Sequence, residues 1–181
     1  LRMSRGLGDV YKRQHVAQAG SYVDEYRFRF DFSHYQPLTE DEILKVGMLV
    51  NKKIMEAIPV ECFEEDVATA KSMGAMALFS EKYGSRVRVV KMGDFSTELC
   101  GGCHVENTGK LGLMKILSET GVSAGVRRIE GVTGYNVILQ MREKSKLIDD
   151  VSSVLKTNPS DLLNRAEGIV AELKDARHEI D

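Results

Sequence analysis

The 181-residue chain has a mass of 20.2 kDa, 43% hydrophobic and 29% charged residues, and a formal net charge of −2 from 25 basic and 27 acidic side chains. That mix is globular and too apolar for a disordered chain. No apolar run approaches the ~18–20 residues that cross a bilayer, the amino terminus lacks a signal-peptide core, and the charge balance offers no global attraction to phosphate, so any nucleic-acid contact must be local or supported by parts of a larger protein. Three cysteines, an odd number, argue for reduced thiols or a metal rather than a disulfide framework, and so for the cytoplasm.

Residues 1–14 set Arg2, Arg5, Lys12 and Arg13 against the single acid Asp9, without a hydrophobic period, and read as a non-native or disordered basic tail. Tyr26, Phe28, Phe30 and Phe32 alternate with Arg27, Arg29 and Asp31, which predicts a half-buried strand. Thr39 followed by Glu42 forms a capping box ahead of Ile43, Val46, Val50 and Ile54, predicting a helix over about 40–57 that Pro59 stops. A shorter helix is expected at 64–74, a strand at 86–92 before a Gly93-Asp94 turn, and two more strands at 112–118 and 125–132. Helical spacing returns at Ile138, Met141, Ile148, Val151 and Leu155. Asn158 and Pro159 then suit the start of another helix, along which Leu162, Ala166, Ile169, Leu173, Ala176 and Ile180 recur at heptad spacing. That seam fits either a helix packed on its own domain or a coiled coil. The expected fold is α+β: a mixed sheet with packed helices over 15–134, followed by a helical extension over 135–181. The start at Leu1 and the absence of a helix stop after Ile180 lead us to expect a fragment.

The densest chemical signal is Cys100-Gly101-Gly102-Cys103-His104. Its spacing matches covalent haem attachment, but that chemistry belongs to exported proteins. A thioredoxin-like dithiol needs a helix N-terminus that two central glycines are poor at starting. Cys100 and His104 also suit zinc as thiolate and imidazole, with Cys103 a bystander. The remaining reading is a glycine turn with buried cysteines, and spacing alone does not choose between these. Arg127 and Arg128 are neighbours in a predicted strand and should face opposite ways, so at most one readily faces a pocket. Cys62 reads as a buried hydrophobe and His178 as solvent-exposed.

Five ordered blocks carry a resemblance: His15 to Ser21, Arg29 to His34, Gly74 to Phe79, Met92 to His104, and Gly125 to Glu130. Together they resemble the alanyl-tRNA synthetase family, the last two blocks being similar to the second additional domain shared by threonyl- and alanyl-tRNA synthetases. The resemblance implies the editing domain: hydrolysis of the ester in tRNA(Ala) that carries serine or glycine at its 3′ end, in a zinc-containing pocket. It implies that Cys100 and His104 are zinc ligands, completed in the family by a His-x-x-x-His helix upstream. Gln18 matches a pocket glutamine and is the candidate catalytic side chain, its amide able to donate and to accept. Gly101 and Gly102 would let the backbone approach the 3′ adenosine, or simply make the turn. One of Arg127 and Arg128 would contact the tRNA terminus, the alternative being a surface salt bridge.

The aminoacylation half of the family, with its ATP and magnesium, has no counterpart in these residues, and 135–181 is similar to the segment leading to the family's oligomerisation region. The expected partners are the tRNA(Ala) end, the remainder of a synthetase chain, and self-association through the carboxy-terminal helix, with no membrane. The chain departs from the family in having no histidine upstream of His15. Half the zinc site is therefore expected to be absent and the chain alone inactive, unless His15 and His34 substitute. The alternative is a stand-alone trans-editing relative or a non-catalytic RNA-binding module.

Overall fold

Alternation of aromatic and charged residues does build a strand, but it begins at Phe28. The computed structural model describes residues 16–76 and 84–180, with the side chains of 179 and 180 left aside. Contacts divide the chain into two units, Leu1–Val137 and Ile138–Asp181. In the first, β1 (Gln18–Val23), β2 (Phe28–Ser33), β6 (Met114–Ser123) and β7 (Val126–Thr133) form one antiparallel sheet in the order β1-β2-β7-β6. β3 (Val60–Asp66), β4 (Arg86–Met92) and β5 (Ser96–Leu99) form a second antiparallel sheet. The architecture is α+β, as expected, with its strands shared between two sheets.

Each sheet has its own apolar cluster. Phe30, Phe32 and Ile129 of the first pack with Val46, Val50 and Ile54 of α1 (Glu40–Met55). The capping box forms as the sequence indicates: Thr39 Oγ1 accepts from Glu42 N at 3.3 Å and Glu42 Oε2 accepts from Thr39 N at 2.8 Å. On the second sheet, Val87, Val89 and Leu99 pack against Ala70 of α2 (Val67–Ser72), which is capped by Asp66 accepting from Thr69 N at 2.9 Å.

Three expectations need correction. Tyr26 is 68% exposed and sits outside the strand, because Asp24 Oδ1 accepts from the backbone N–H groups of both Tyr26 and Arg27 and turns the chain there. The helix expected from residue 64 starts at Val67, since 60–66 form the edge strand β3, whose Glu61 and Glu64 stand exposed and blur the alternation. Cys62, expected to be buried, is exposed on that edge strand. The readings placed on residues 1–14, His15 and Ala77-Leu78-Phe79 lie outside the described residues.

α3 (Tyr135–Val154) runs from the end of the first unit into the second, where a 3₁₀ turn (Pro159–Asp161) leads into α4 (Leu162–Ile180). Asn158 has the extended backbone of an N-cap but its side chain makes no capping hydrogen bond. Along the heptad seam, Leu162, Ala166 and Ile169 are half-buried, while Leu173 and Ala176 are exposed, as is His178. Among the described residues no helix is long and apolar enough to cross a membrane.

Candidate functional site

A cavity of about 1110 Å³ opens in the first unit between the β1–β2 hairpin, β4 and the turn that follows β5. The β4–β5 ladder ends with Val89 opposite Leu99, and the next residue, Cys100, donates its N–H to the Arg88 carbonyl at 3.1 Å. Cys100 thus leaves a fixed strand end, and the chain turns through Gly101 and Gly102 back to His104. Within that turn Cys100 Sγ lies 3.2 Å from His104 Nε2, and Gly102 N donates to the same sulfur at 3.4 Å. The sequence motif is therefore a Cys-His pair. Cys100, Cys103 and Cys62 all carry free thiols.

Neither glycine of the turn is demanded by the fold. A Cβ at Gly102 would meet Cys100 Sγ at 3.5 Å and His104 Nε2 at 3.9 Å, ordinary contact distances, and one at Gly101 would meet nothing within 4 Å. Neither adopts the left-handed backbone that favours glycine. Open space beside the Cys-His pair is what these two residues leave.

On another wall, β1 carries Gln18. The register between β1 and β2 slips between Gln18 and Gly20, so that Gln18 faces Phe32 while Gly20 already faces Asp31. A bulge of this kind re-aims the adjoining side chains. Gln18 Nε2 donates to Ser21 Oγ at 3.1 Å, and Gln18 lines the cavity together with Cys100, Gly101, Gly102 and His104.

Arg127 and Arg128 do face apart, and neither lines the cavity. Arg127 forms a two-pronged pair with Glu119 at 2.5 and 2.7 Å, and Arg128 does the same with Asp31 at 2.8 and 2.9 Å. Each contact holds its guanidinium charged, raising the pKa of Arg127 and of Arg128. The hydrogen bonds from Arg128 hold the Asp31 carboxyl below the usual carboxylate range.

Among the described residues, the arginines and lysines that line the cavity are Arg27, Arg29, Arg86 and Arg88. None stood out in the sequence as a site residue. A signal existed for the last two, since Arg86 and Arg88 alternate with buried Val87 and Val89, but only the β4–β5 register places that face beside the cysteine turn.

As a zinc site, the donor set fits in kind and, among the described residues, is incomplete. Thiolate and imidazole are suitable ligands, and tetrahedral bonds of ~2.3 and ~2.05 Å would set them about 3.6 Å apart, close to the 3.2 Å observed. Yet among the described residues no three His, Cys, Asp or Glu side chains group to hold a metal. His34 does not join the pair: it lies just past the end of β2, where its backbone N–H donates to Gly125 O at 3.0 Å and its ring stacks on Phe32 with centroids 6.4 Å apart.

Residues 87–130 match the family described as the threonyl and alanyl tRNA synthetase second additional domain. Over 165 residues, 91% of the chain, the sequence is 50% identical to an alanine--tRNA ligase of Bacillus anthracis, 51% to that of Bacillus subtilis and 49% to that of Pelotomaculum thermopropionicum. It spans 19% of the length of each of these relatives. At that identity over 91% of its own length, the chain belongs to the alanine--tRNA ligase family, as a segment that carries the second additional domain.

Proposed function

We propose that this chain is the editing segment of an alanine--tRNA ligase, built to hydrolyse tRNA(Ala) wrongly charged with serine or glycine. The observation that carries the reading is the Cys100–His104 pair, 3.2 Å apart, set in a glycine turn on the wall of a cavity that Gln18 also lines. Alanine attachment with ATP and magnesium belongs to other parts of the parent protein, and the setting is the cytoplasm. An apolar alanine pocket rejects a ligand that merely adds a hydroxyl by only about 100-fold. It has no steric means of excluding glycine. A second pocket that hydrogen-bonds the serine hydroxyl reverses the preference, because alanine leaves its polar groups unpaired.

Within this reading each residue has a distinct task. Cys100 and His104 supply two of the ligands of a zinc ion, with the others contributed from outside residues 16–76 and 84–180. Bound zinc supplies Lewis acidity and lowers the pKa of a coordinated water towards ~7. Gln18 orients the aminoacyl ester through its amide, which both donates and accepts. Gly101 and Gly102 keep the space beside the pair open for the terminal nucleoside. The incomplete donor set supports a second reading, an RNA-binding module without catalysis of its own.

Release of serine from Ser-tRNA(Ala), with zinc supplied, separates the two. The test compares this chain with a version in which residues 1–14 are replaced by a His-x-x-x-His helix. Release is expected only from the repaired chain, and Cys100→Ala or His104→Ala in it should reduce release by more than about 100-fold. A folded repaired chain that releases no serine would overturn the catalytic reading in favour of the binding module.

A further inference from the structure

The four arginines lining the cavity are not equivalent. Arg27 lies 3.3 Å from Glu130, Arg29 3.7 Å from Asp31 and Arg86 3.6 Å from Glu64. Among the described residues Arg88 has no carboxylate partner. Its Nη1 donates to the Gly102 carbonyl, and its own carbonyl accepts from Cys100 N at 3.1 Å. One residue therefore holds the turn at two points, by its backbone where the turn leaves β5 and by its side chain where the turn crosses Gly102. A neutral carbonyl leaves the guanidinium charge uncompensated, and four of its five N–H donors remain for another acceptor. Of the carboxylates that also line the cavity, Asp24 is already engaged with the backbone N–H groups of Tyr26 and Arg27. Beside it Tyr26, 68% exposed, presents an aromatic ring at the same cavity. A fixed cation with donors to spare and an exposed ring are the two elements that recognise a nucleotide, through phosphate and through stacking.

We infer that Arg88 binds a phosphodiester at the end of an RNA strand while its Nη1 positions the Cys100–His104 turn, so that docking of the strand and alignment of the Cys-His pair share one side chain. This rests on the RNA-directed reading of the cavity but not on hydrolysis. A free phosphate would occupy a small part of a 1110 Å³ cavity, whereas a terminal nucleotide would also reach Tyr26 and the open space at Gly101.

The probe is an RNA hairpin ending in single-stranded CCA, either natural or with a neutral methylphosphonate at its last linkage, with binding to the 181-residue chain read by fluorescence anisotropy. The unmodified chain should bind the natural RNA about tenfold more tightly than the neutral-linkage RNA. Arg88→Ala should bind both alike, at the level of the neutral probe, and Arg88→Lys, which keeps the charge and loses the fork, should fall between. Lys144→Ala, which removes one positive charge on α3, should leave the ratio unchanged. Should Arg88→Ala fail to fold by circular dichroism, Arg88→Lys carries the comparison. A purely structural role for Arg88 would weaken both probes equally and would overturn the inference, as would an unmodified chain that does not distinguish them. Displacement of the natural RNA by equimolar inorganic phosphate would overturn the RNA assignment. Serine release by the repaired chain is scored separately: release without the linkage effect sinks the Arg88 inference alone, and the linkage effect without release sinks the editing reading alone.

Discussion

Asp31 shows how one side chain in a sheet links stability to pH. The residue is 8% exposed and lies opposite Arg128 in the β2–β7 ladder, and its carboxylate receives both prongs of that guanidinium with Arg29 beside it. Because these contacts lower its folded pKa below the unfolded value, the stabilisation is fully present above the unfolded pKa of ~3.9 and is lost as pH falls through the folded one. Asp31→Asn should cost about 2 kcal/mol at pH 7. Urea denaturation should show the gap between the two proteins closing below about pH 4, and a gap as wide at pH 3 as at pH 7 would mean that the charge is not its cause. The sequence offered Arg128 as a candidate for RNA contact or for a salt bridge. Only the register between two strands some 97 positions apart in the chain assigns it to Asp31. By contrast, Cys100 and His104 are close in sequence, so four-residue spacing offered their pairing as one reading among several, and the resemblance singled it out.

At the scale of elements, what is legible depends on how one-sided an element is. α1 announces itself by a capping box and an apolar stripe, and β2 by an aromatic stripe. β3 is an edge strand with exposed glutamates, and β5 has only four residues, so neither repeats a pattern long enough to stand out. β7, central in its sheet, contains a glycine whose reason is visible only in three dimensions. A Cβ on Gly131 would approach the Phe28 ring to 2.5 Å and the Lys115 carbonyl to 2.6 Å, from the strands on either side. The ring can yield, but the backbone carbonyl cannot without opening the ladder. Gly131→Ala should therefore destabilise the chain by about 1–3 kcal/mol. Thermal denaturation provides the check, and Phe28→Leu in the same chain should recover only part of the loss. Full recovery would show that the ring, and not the carbonyl, sets the limit.

For the whole molecule, the cores and the cavity lie on the same side of the division between units. Both apolar clusters are built from residues between Phe30 and Ile129, and the last residue to line the cavity is Asn136, which donates from Nδ2 to the Glu25 carbonyl at 2.9 Å. All described residues of the two clusters and of the cavity belong to the first unit. Along α4 the half-buried seam residues give way to exposed Leu173 towards the carboxy terminus, the pattern of an amphipathic helix. A chain ending at Leu155 keeps all of α3 and should melt cooperatively. It should also bind the CCA-ended RNA hairpin within about twofold of the full chain, since ~0.4 kcal/mol is all that such a change represents. A loss of tenfold or more would place a binding determinant in residues 156–181 and make the helical extension part of the RNA site. Preserved binding would assign recognition to the two sheets and the cysteine turn, leaving α4 to act on something other than the terminal nucleotide.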